Sequence, residues 1–429
     1  MEKETLTAGS YRRLLQTNRN FRRLWLAQVV SLLGDWFSTV AVITLVTRFG
    51  GTAEQLAWLF IARLLPMVLF GPLAGVLADR FNRRSIMLVA DLTRVAVALS
   101  FLLVTSAELV WLIYLLTVVQ FSLGALFDPA RSAIIPALTS NEDRVTANAL
   151  GSLTWSTMLA IGAALGGLTA GVFGLEVAFV VDALSFAGSA FMVLGIPAHL
   201  GKASGHKDTK MRLGSDLVDG AKYLRQRPAV LTFTLIKPLA ALSSGATFTL
   251  LALLSHDVFP VGKDGSLSLG LLNLAIGVGS GVGPLLGSWL LRRRGETRAN
   301  LQRMIGLGFI LYGLSFIFFT NTGSLLIAIV VIIIGEFGGG SNWVNSTTLL
   351  QLGVEDSYRG RVFAVEFMLL NLLGSISALV SGWLLDQLHL PVGTLGIGLG
   401  ILEISIGLLW LGLNLRARRL ANIAVATAD

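Results

Sequence analysis

Long apolar stretches alternate along this chain with short polar connectors rich in arginine. A stretch of roughly 20 apolar residues suits a helix crossing about 30 Å of hydrocarbon. Twelve such stretches lie near residues 24–47, 56–78, 86–105, 109–128, 147–173, 177–196, 230–254, 268–291, 302–320, 324–347, 362–385 and 393–415. The pattern predicts an all-α membrane protein of twelve transmembrane helices. The longest polar segment, Pro197 to Pro228, divides the pattern into two sets of six. We therefore expect a tail over 1–20, a six-helix bundle over 21–197, a linker over 198–228, a second six-helix bundle over 229–415 and a tail over 416–429. Within the linker, Ser215 to Arg227 reads as a short amphipathic helix. Leu217, Val218, Ala221 and Leu224 share one face and Asp216, Asp219, Lys222 and Arg225 lie mostly opposite, a pattern suited to a membrane surface.

Composition removes the soluble alternatives. The 429 residues are 54% hydrophobic and only 14% charged, where a soluble domain carries about a quarter. So little polar surface does not cover a body of this size in water. The net charge of +8 reads as topology rather than as a nucleic-acid surface, because the basic residues crowd the connectors of one side. Only Arg48 and Lys263 fall in connectors of the other side, and Arg63, Arg94 and Lys237 fall within spans. That bias fixes an even helix count and places both termini in the cytoplasm. The polar, basic segment Met1 to Asn20 is expected to be a cytoplasmic tail, not a cleaved leader. Cysteine is absent, which excludes disulfides, zinc–thiolate sites and iron–sulfur clusters. No nucleophile–base triad, metal-binding helix pair or phosphate-binding lysine loop occurs. We expect no enzymatic activity, no metal and no cofactor.

The two halves echo each other. Gly71-Pro72-Leu73-Ala74-Gly75 closes the second span, and Gly283-Pro284-Leu285-Leu286-Gly287 closes the eighth. Arg80 matches Arg292, and Arg144-Val145 before the fifth span matches Arg361-Val362 before the eleventh. Both matches fall where a six-plus-six repeat requires, and such repeats are typical of transporters.

The connector after the second span reads Gly75-Val76-Leu77-Ala78-Asp79-Arg80-Phe81-Asn82-Arg83-Arg84. It resembles the loop motif of the major facilitator superfamily, with Asn82 where glycine is usual. Asparagine tolerates a left-handed backbone, so a tight turn is expected there. Gly34-Asp35 in the first span, Asp128-Pro129-Ala130-Arg131 through Pro136 after the fourth, Ala147-Asn148-Ala149-Leu150 opening the fifth and Arg359-Gly360-Arg361-Val362 opening the eleventh are similar to the enterobactin-exporter branch, the transmembrane secretion effectors. The resemblance covers nearly the whole chain. It implies two pseudo-symmetric bundles, rocker-switch alternating access, and proton-coupled export of siderophores or other amphipathic, drug-like molecules. The fifth span departs at Gly162-Ala163-Ala164-Leu165-Gly166-Gly167, where Ala163 replaces the proline of the antiporter motif. Gly162, Gly166, Gly167, Gly283 and Gly287 permit close helix packing, while any bend that proline supplied is lost.

The resemblance also nominates residues. Asp79, Arg80, Arg83, Arg84, Asp128, Arg131, Arg359 and Arg361 are the expected cytoplasmic gate, with Asp79 facing the start of the eleventh span and a loop base reaching Asp128. A charge at mid-bilayer costs at least ~2.5–3.5 kcal/mol on insertion scales, so it faces a cavity or a partner. Asp35, in a polar stripe with Ser31, Ser38 and Thr39, is the first choice for the residue that gains and loses a proton. Arg63 lies at a depth where it can pair with Asp35. Glu336 is the second proton or substrate site, followed by Phe337 and three glycines, with Asn342 and Asn345 read as continuing its stripe. Lys237, beside the helix-breaking Pro238, either binds an anionic substrate or snorkels to the surface. Glu366, Asn371 and Trp36 complete the expected substrate cavity. Asp91 and Arg94 are read as a local structural pair, and Asp182 and Glu403 as structural. The expected partners are a small amphipathic substrate, protons and the lipid bilayer, with the chain a monomer. Two rivals stay open: lysophospholipid handling by the same fold, and a sensor or scaffold that transports nothing.

Overall fold

The computed structural model describes residues 8–140, 142–202, 213–295 and 297–426. Its helices are α1 (Ala8–Thr17), α2 (Arg19–Arg48), α3 (Ala53–Arg80), α4 (Arg83–Ser100), α5 (Val110–Leu138), α6 (Asp143–Phe173), α7 (Leu175–Leu194), α8 (Leu213–Gln226), α9 (Pro228–Thr234), α10 (Ile236–Leu253), α11 (Ser266–Arg294), α12 (Arg298–Phe319), α13 (Leu325–Gly353), α14 (Asp356–Asp386) and α15 (Val392–Ala426). Among the described residues, twelve spans are long and apolar enough to cross a membrane, with α9 and α10 together forming the seventh.

Short polar side chains start several of these helices. Asn18 accepts a hydrogen bond from the Phe21 N–H at 2.9 Å to cap α2. Thr297 caps α12 and Ser324 caps α13 in the same way, each satisfying a donor the helix cannot. Asn82 does likewise for α4, with an extended backbone at φ −66°. The left-handed turn expected there is replaced by an N-cap, which explains an asparagine at that position equally well.

The fourth span is longer than its sequence suggests. An Asp-Pro step reads as a helix end, yet α5 runs on through Pro129 and Pro136 to Leu138. Proline costs such a helix one backbone bond, and neighbouring helices make up for the loss.

The chain forms two compact units. Unit 1 comprises Met1–Gly51, Trp58–Met211 and Ser255–Leu274, and unit 2 comprises Thr52–Ala57, Arg212–Leu254 and Ala275–Asp429. Inside unit 1, α2 packs on α6 and α7, and α4 packs on α5 and α7. Inside unit 2, α10 packs on α14, and α12 packs on α13 and α15. First on fifth, third on fourth and third on sixth thus recur in each set of six spans, as the repeats in the sequence require. Phe21, Met87, Phe127 and Ile134 sit in one apolar core, and Phe233, Ile305, Phe309 and Val362 in the other. Polarity is inverted relative to a soluble protein: Leu184, Phe191, Leu326 and Leu409 are exposed, while Asp91, Arg94, Asp182 and Glu403 are buried.

The linker helix also differs from its expected orientation. Tyr223 and Leu224 of α8 are buried, whereas Val218 and Ala221 are exposed. The helix packs on the start of α14, where a Cβ on Gly220 would lie 2.8 Å from the Arg361 carbonyl oxygen. Tertiary contact through a glycine outweighs the apolar stripe that the sequence displays.

Candidate functional site

The polar interior of unit 1 is built on two close approaches of α2 and α5 to their neighbours. Gly34 of α2 has no side chain to keep Asp182 of α7 away; a Cβ there would lie 2.6 Å from the Asp182 Oδ1. Gly124 of α5 leaves the corresponding room for the Arg94 guanidinium. Into this space α4 projects Arg94, which is 5% exposed. Its Nη2 lies 3.9 Å from Asp35 Oδ1, and its Nη1 lies 3.8 Å from Asp91 Oδ1. Nη1 also donates to Ser31 Oγ at 3.3 Å, and the guanidinium lies 4.8 Å from the Phe186 ring centre. Asp91 accepts from Ser189 Oγ at 2.6 Å, and Asp182 accepts from Gln120 Nε2 at 3.3 Å.

Asp35 also opens onto a small cavity together with Ser38, Thr39, Arg63, Gln120 and Phe121. Arg63 donates to Thr39 Oγ1 at 3.0 Å and lies 4.9 Å from the Phe121 ring centre. The expected neighbourhood of Asp35 and Arg63 is therefore present. The local pair of Asp91 and Arg94 expected from the i, i+3 spacing is present; the further reach of Arg94 to Asp35 is not visible in that spacing.

Unit 2 has a small cavity lined by Thr247, Leu251, Ile276, Tyr312, Ser315, Phe316, Phe319, Ile332 and Glu336. Glycines of α11 bring α13 close: a Cβ on Gly279 would lie 2.5 Å from Glu336 Cβ, and one on Gly283 would lie 2.7 Å from Phe337 Cα. One turn later, a Cβ on Gly287 would meet Ser341 Oγ at 3.1 Å. Glu336 makes no ion pair among the described residues.

Asn342 and Asn345 do not share its face. At 100° per residue, Asn345 falls opposite Glu336 on the helix. Asn342 turns to α12, where its amide is placed to donate to the Ile305 carbonyl at 3.2 Å, and Asn345 is buried.

Lys237 neither snorkels nor faces open space. It is 7% exposed, and its Nζ donates to Glu366 Oε2 at 3.0 Å beneath the Trp343 ring, 4.7 Å from the ring centre. A buried carboxylate within reach outcompetes the distant headgroups. Asn371 donates to the Phe367 carbonyl of its own helix at 2.7 Å. Glu403 accepts from Ser243.

The packing glycines of α6 lie against named neighbours. A Cβ on Gly162 would meet Trp36 Cβ at 2.9 Å, one on Gly166 would meet Phe37 Cα at 2.9 Å, and one on Gly167 would meet Gly270 Cα at 2.6 Å. Trp36 is thereby held in a helix contact.

At the arginine-rich ends, Arg83 is buried and donates to the Ala78 carbonyl at 3.1 Å. Arg84 donates to the Val193 and Leu194 carbonyls at 3.3 and 2.9 Å, closing the end of α7 as a cation does. Arg80 is exposed. Asp128 pairs with Arg131 of its own helix at 3.7 Å, and Arg131 also donates to Gln28 Oε1 at 3.1 Å. Arg359 donates to the Gln351 and Val354 carbonyls at 3.1 and 3.5 Å, and Arg361 lies over Tyr358. The Asp79 side chain lies outside the described residues. Arg227 pairs with Glu355 at 2.7 Å, and that hydrogen bond raises the already high pKa of the guanidinium.

A family model described as Major Facilitator Superfamily matches residues 24–378. The chain belongs to the Major Facilitator Superfamily. An MFS-type transporter of Bacillus subtilis, YfiS, is 27% identical over 93% of this chain and 94% of its own length. Macrolide efflux protein A of Streptococcus pyogenes is 25% identical over 86% of this chain and 90% of its own. The staphyloferrin A transporter of Staphylococcus aureus is 25% identical over 82% and 87%. Among solved structures, a bacterial homologue of the human lysosomal transporter Spinster, inward-facing and unoccupied, superposes with a TM-score of 0.71 at 15% identity over 95% of this chain and 96% of that one.

This superfamily member is thus a multi-pass membrane transporter and not an enzyme. Against that identity, its interior divides cleanly. In unit 1 a single arginine holds two carboxylates beside a cavity. In unit 2 the cation and one acid are sealed into a pair, and a second acid is left on a cavity wall. Gly34 and Gly124 add a sequence signal for the first arrangement, since each marks a place where another side chain enters.

Proposed function

We propose that this transporter exports amphipathic small molecules, drug-like or siderophore-like, in exchange for protons and by alternating access. One observation carries the reading: each unit places an ionisable carboxyl of a membrane span on a cavity wall, Asp35 in one and Glu336 in the other. Hydrocarbon penalises such groups. A structural acid escapes the penalty by a tight pair, as Glu366 does with Lys237 at 3.0 Å. Asp35 lies at a longer 3.9 Å from Arg94 and shares its cavity with Arg63 and Gln120, a looser setting in which a change of protonation need not dismantle the bundle. The efflux protein and the siderophore transporter among the relatives support the direction and the size of cargo.

Under this reading the arginine-rich ends face the cytoplasm of a cell whose inner membrane holds the chain, with both termini there. Asp79, Arg80, Arg83, Arg84, Asp128, Arg131, Arg359 and Arg361 form the gate on that side. The test is erythromycin and ethidium accumulation in everted membrane vesicles under an imposed pH gradient. Gradient-dependent accumulation of either above empty-vector vesicles is expected. Gradient-independent flux of lysophospholipid alone, or no flux of any of the three, would contradict it.

A further inference from the structure

The glycine-proline segments of α3 and α11 each lead to a cluster of arginines, and the two clusters are engaged differently. After α3, Arg83 and Arg84 donate to the carbonyls of Ala78, Val193 and Leu194. At the end of α11, Arg292 and Arg293 are exposed, and neither makes an ion pair among the described residues. Arg293 lies over the Trp289 ring, 4.0 Å from its centre, and that tryptophan is itself 47% exposed. The segment 292–303 holds five arginines against one acid, Glu296. The C-terminus of α11 carries about half a negative charge, too little to balance them. Below the arginines the same face of α11 is apolar. Val278, Val282, Leu285 and Trp289 are exposed, and with Arg292 they fall within an arc of about 80° at 100° per residue. From Val278 to Trp289 this stripe runs ~16 Å at 1.5 Å per residue, about the depth of one leaflet of a ~30 Å hydrocarbon core.

We infer that this face of α11 holds an anionic phospholipid, with its phosphate at Arg292 and Arg293 and an acyl chain along Val278 to Trp289. The order of groups along the helix identifies the partner. Guanidinium forks match phosphate oxygens, and basic groups at the end of a span attract anionic headgroups. Tryptophan is enriched where headgroup meets chain, and Trp289 stands at that junction, between the arginines and the apolar stripe. A free anion would use the arginines and leave the stripe uncovered. A zwitterionic lipid brings an ammonium that the arginines repel. An acidic protein segment would have to follow the stripe into hydrocarbon, where its own charges are penalised. This site depends only on the chain's lying in a bilayer and not on the direction or coupling of transport.

Native mass spectrometry of the full chain, released from detergent micelles doped equally with dioleoylphosphatidylglycerol and dioleoylphosphatidylcholine, tests this. The parent should retain the glycerol lipid at least fivefold more than the choline lipid. Arg292→Gln combined with Arg293→Gln should lower retention of the glycerol lipid at least threefold, and Trp289→Ala at least twofold, each variant being checked for an unchanged elution profile. Arg12→Gln combined with Arg19→Gln removes two exposed arginines elsewhere and should leave retention within 1.5-fold of the parent. Glycerophosphoglycerol, the same headgroup without chains, should displace less than a tenth of the bound lipid. Equal retention of the two lipids by the parent, or parent-like retention in the folded Arg292 and Arg293 double variant, would overturn the inference. So would an equal drop in the Arg12 and Arg19 double variant, which would mean that overall charge alone attracts the lipid. Displacement of half the lipid by the chain-free headgroup would show that the phosphate is recognised without the stripe, and would overturn it too. Should the Arg292 and Arg293 double variant fail to fold, Trp289→Ala decides alone.

Discussion

The cavities of the two units pose the same electrostatic problem and solve it differently. In unit 1, Arg94 reaches Asp35 and Asp91 at 3.9 and 3.8 Å, and Arg63 lies on the wall itself. In unit 2, the buried lysine is spent on Glu366 at 3.0 Å, and Glu336 faces its cavity without a cation. One half of a pseudo-symmetric fold therefore carries counter-charges beside its cavity, while the other has an acid with no ion pair among the described residues. The repeated helix pairings give both halves similar frames, so the difference resides in a few side chains.

The sharpest way to break the comparison is to remove the shared cation. Arg94→Met leaves buried Asp91 with its Ser189 hydrogen bond but no cation and takes the nearer arginine from Asp35, and we expect a loss of about 3–5 kcal/mol in denaturant unfolding in detergent. A loss below about 1 kcal/mol would mean that Arg94 holds neither acid. Lys237→Met comes next, stranding Glu366 at a cost of roughly 3 kcal/mol. Adding Glu366→Leu should recover most of that, because an apolar pair replaces a desolvated ionic one. A double variant no more stable than the single would show that the pair does more than neutralise itself. The smallest effect belongs to Glu336→Gln, which strands no cation. Stability should change by less than about 1 kcal/mol, and thermal unfolding should show it. A large loss there would reveal a structural partner for Glu336 and erase the contrast between the units.

Much of the architecture was legible in the residue pattern because hydrocarbon thickness sets span length and basic connectors set sidedness. The register between helices was not, since it depends on which small residues admit which neighbours. Gly34 and Gly124 bring Asp182 and Arg94 inward, and no periodicity within α2 or α5 announces that. The Asn342 and Asn345 stripe failed on helix geometry alone. Lys237 was misread because its depth was weighed against the membrane surface instead of against Glu366, which lies 129 positions away in sequence. The apolar stretch of the fourth span ends near residue 128, whereas α5 runs on through Pro129 and Pro136 to Leu138, because tertiary packing holds the helix together where local pattern does not.

The account turns on carboxyl groups that change protonation inside the membrane, and proton movement driven by substrate reports that most directly. In proteoliposomes holding an internal pH dye, ethidium added to the parent should drive measurable proton movement, whereas Asp35→Asn of equal yield and unfolding temperature should show none above protein-free vesicles. Proton movement of parental size in Asp35→Asn would contradict the account.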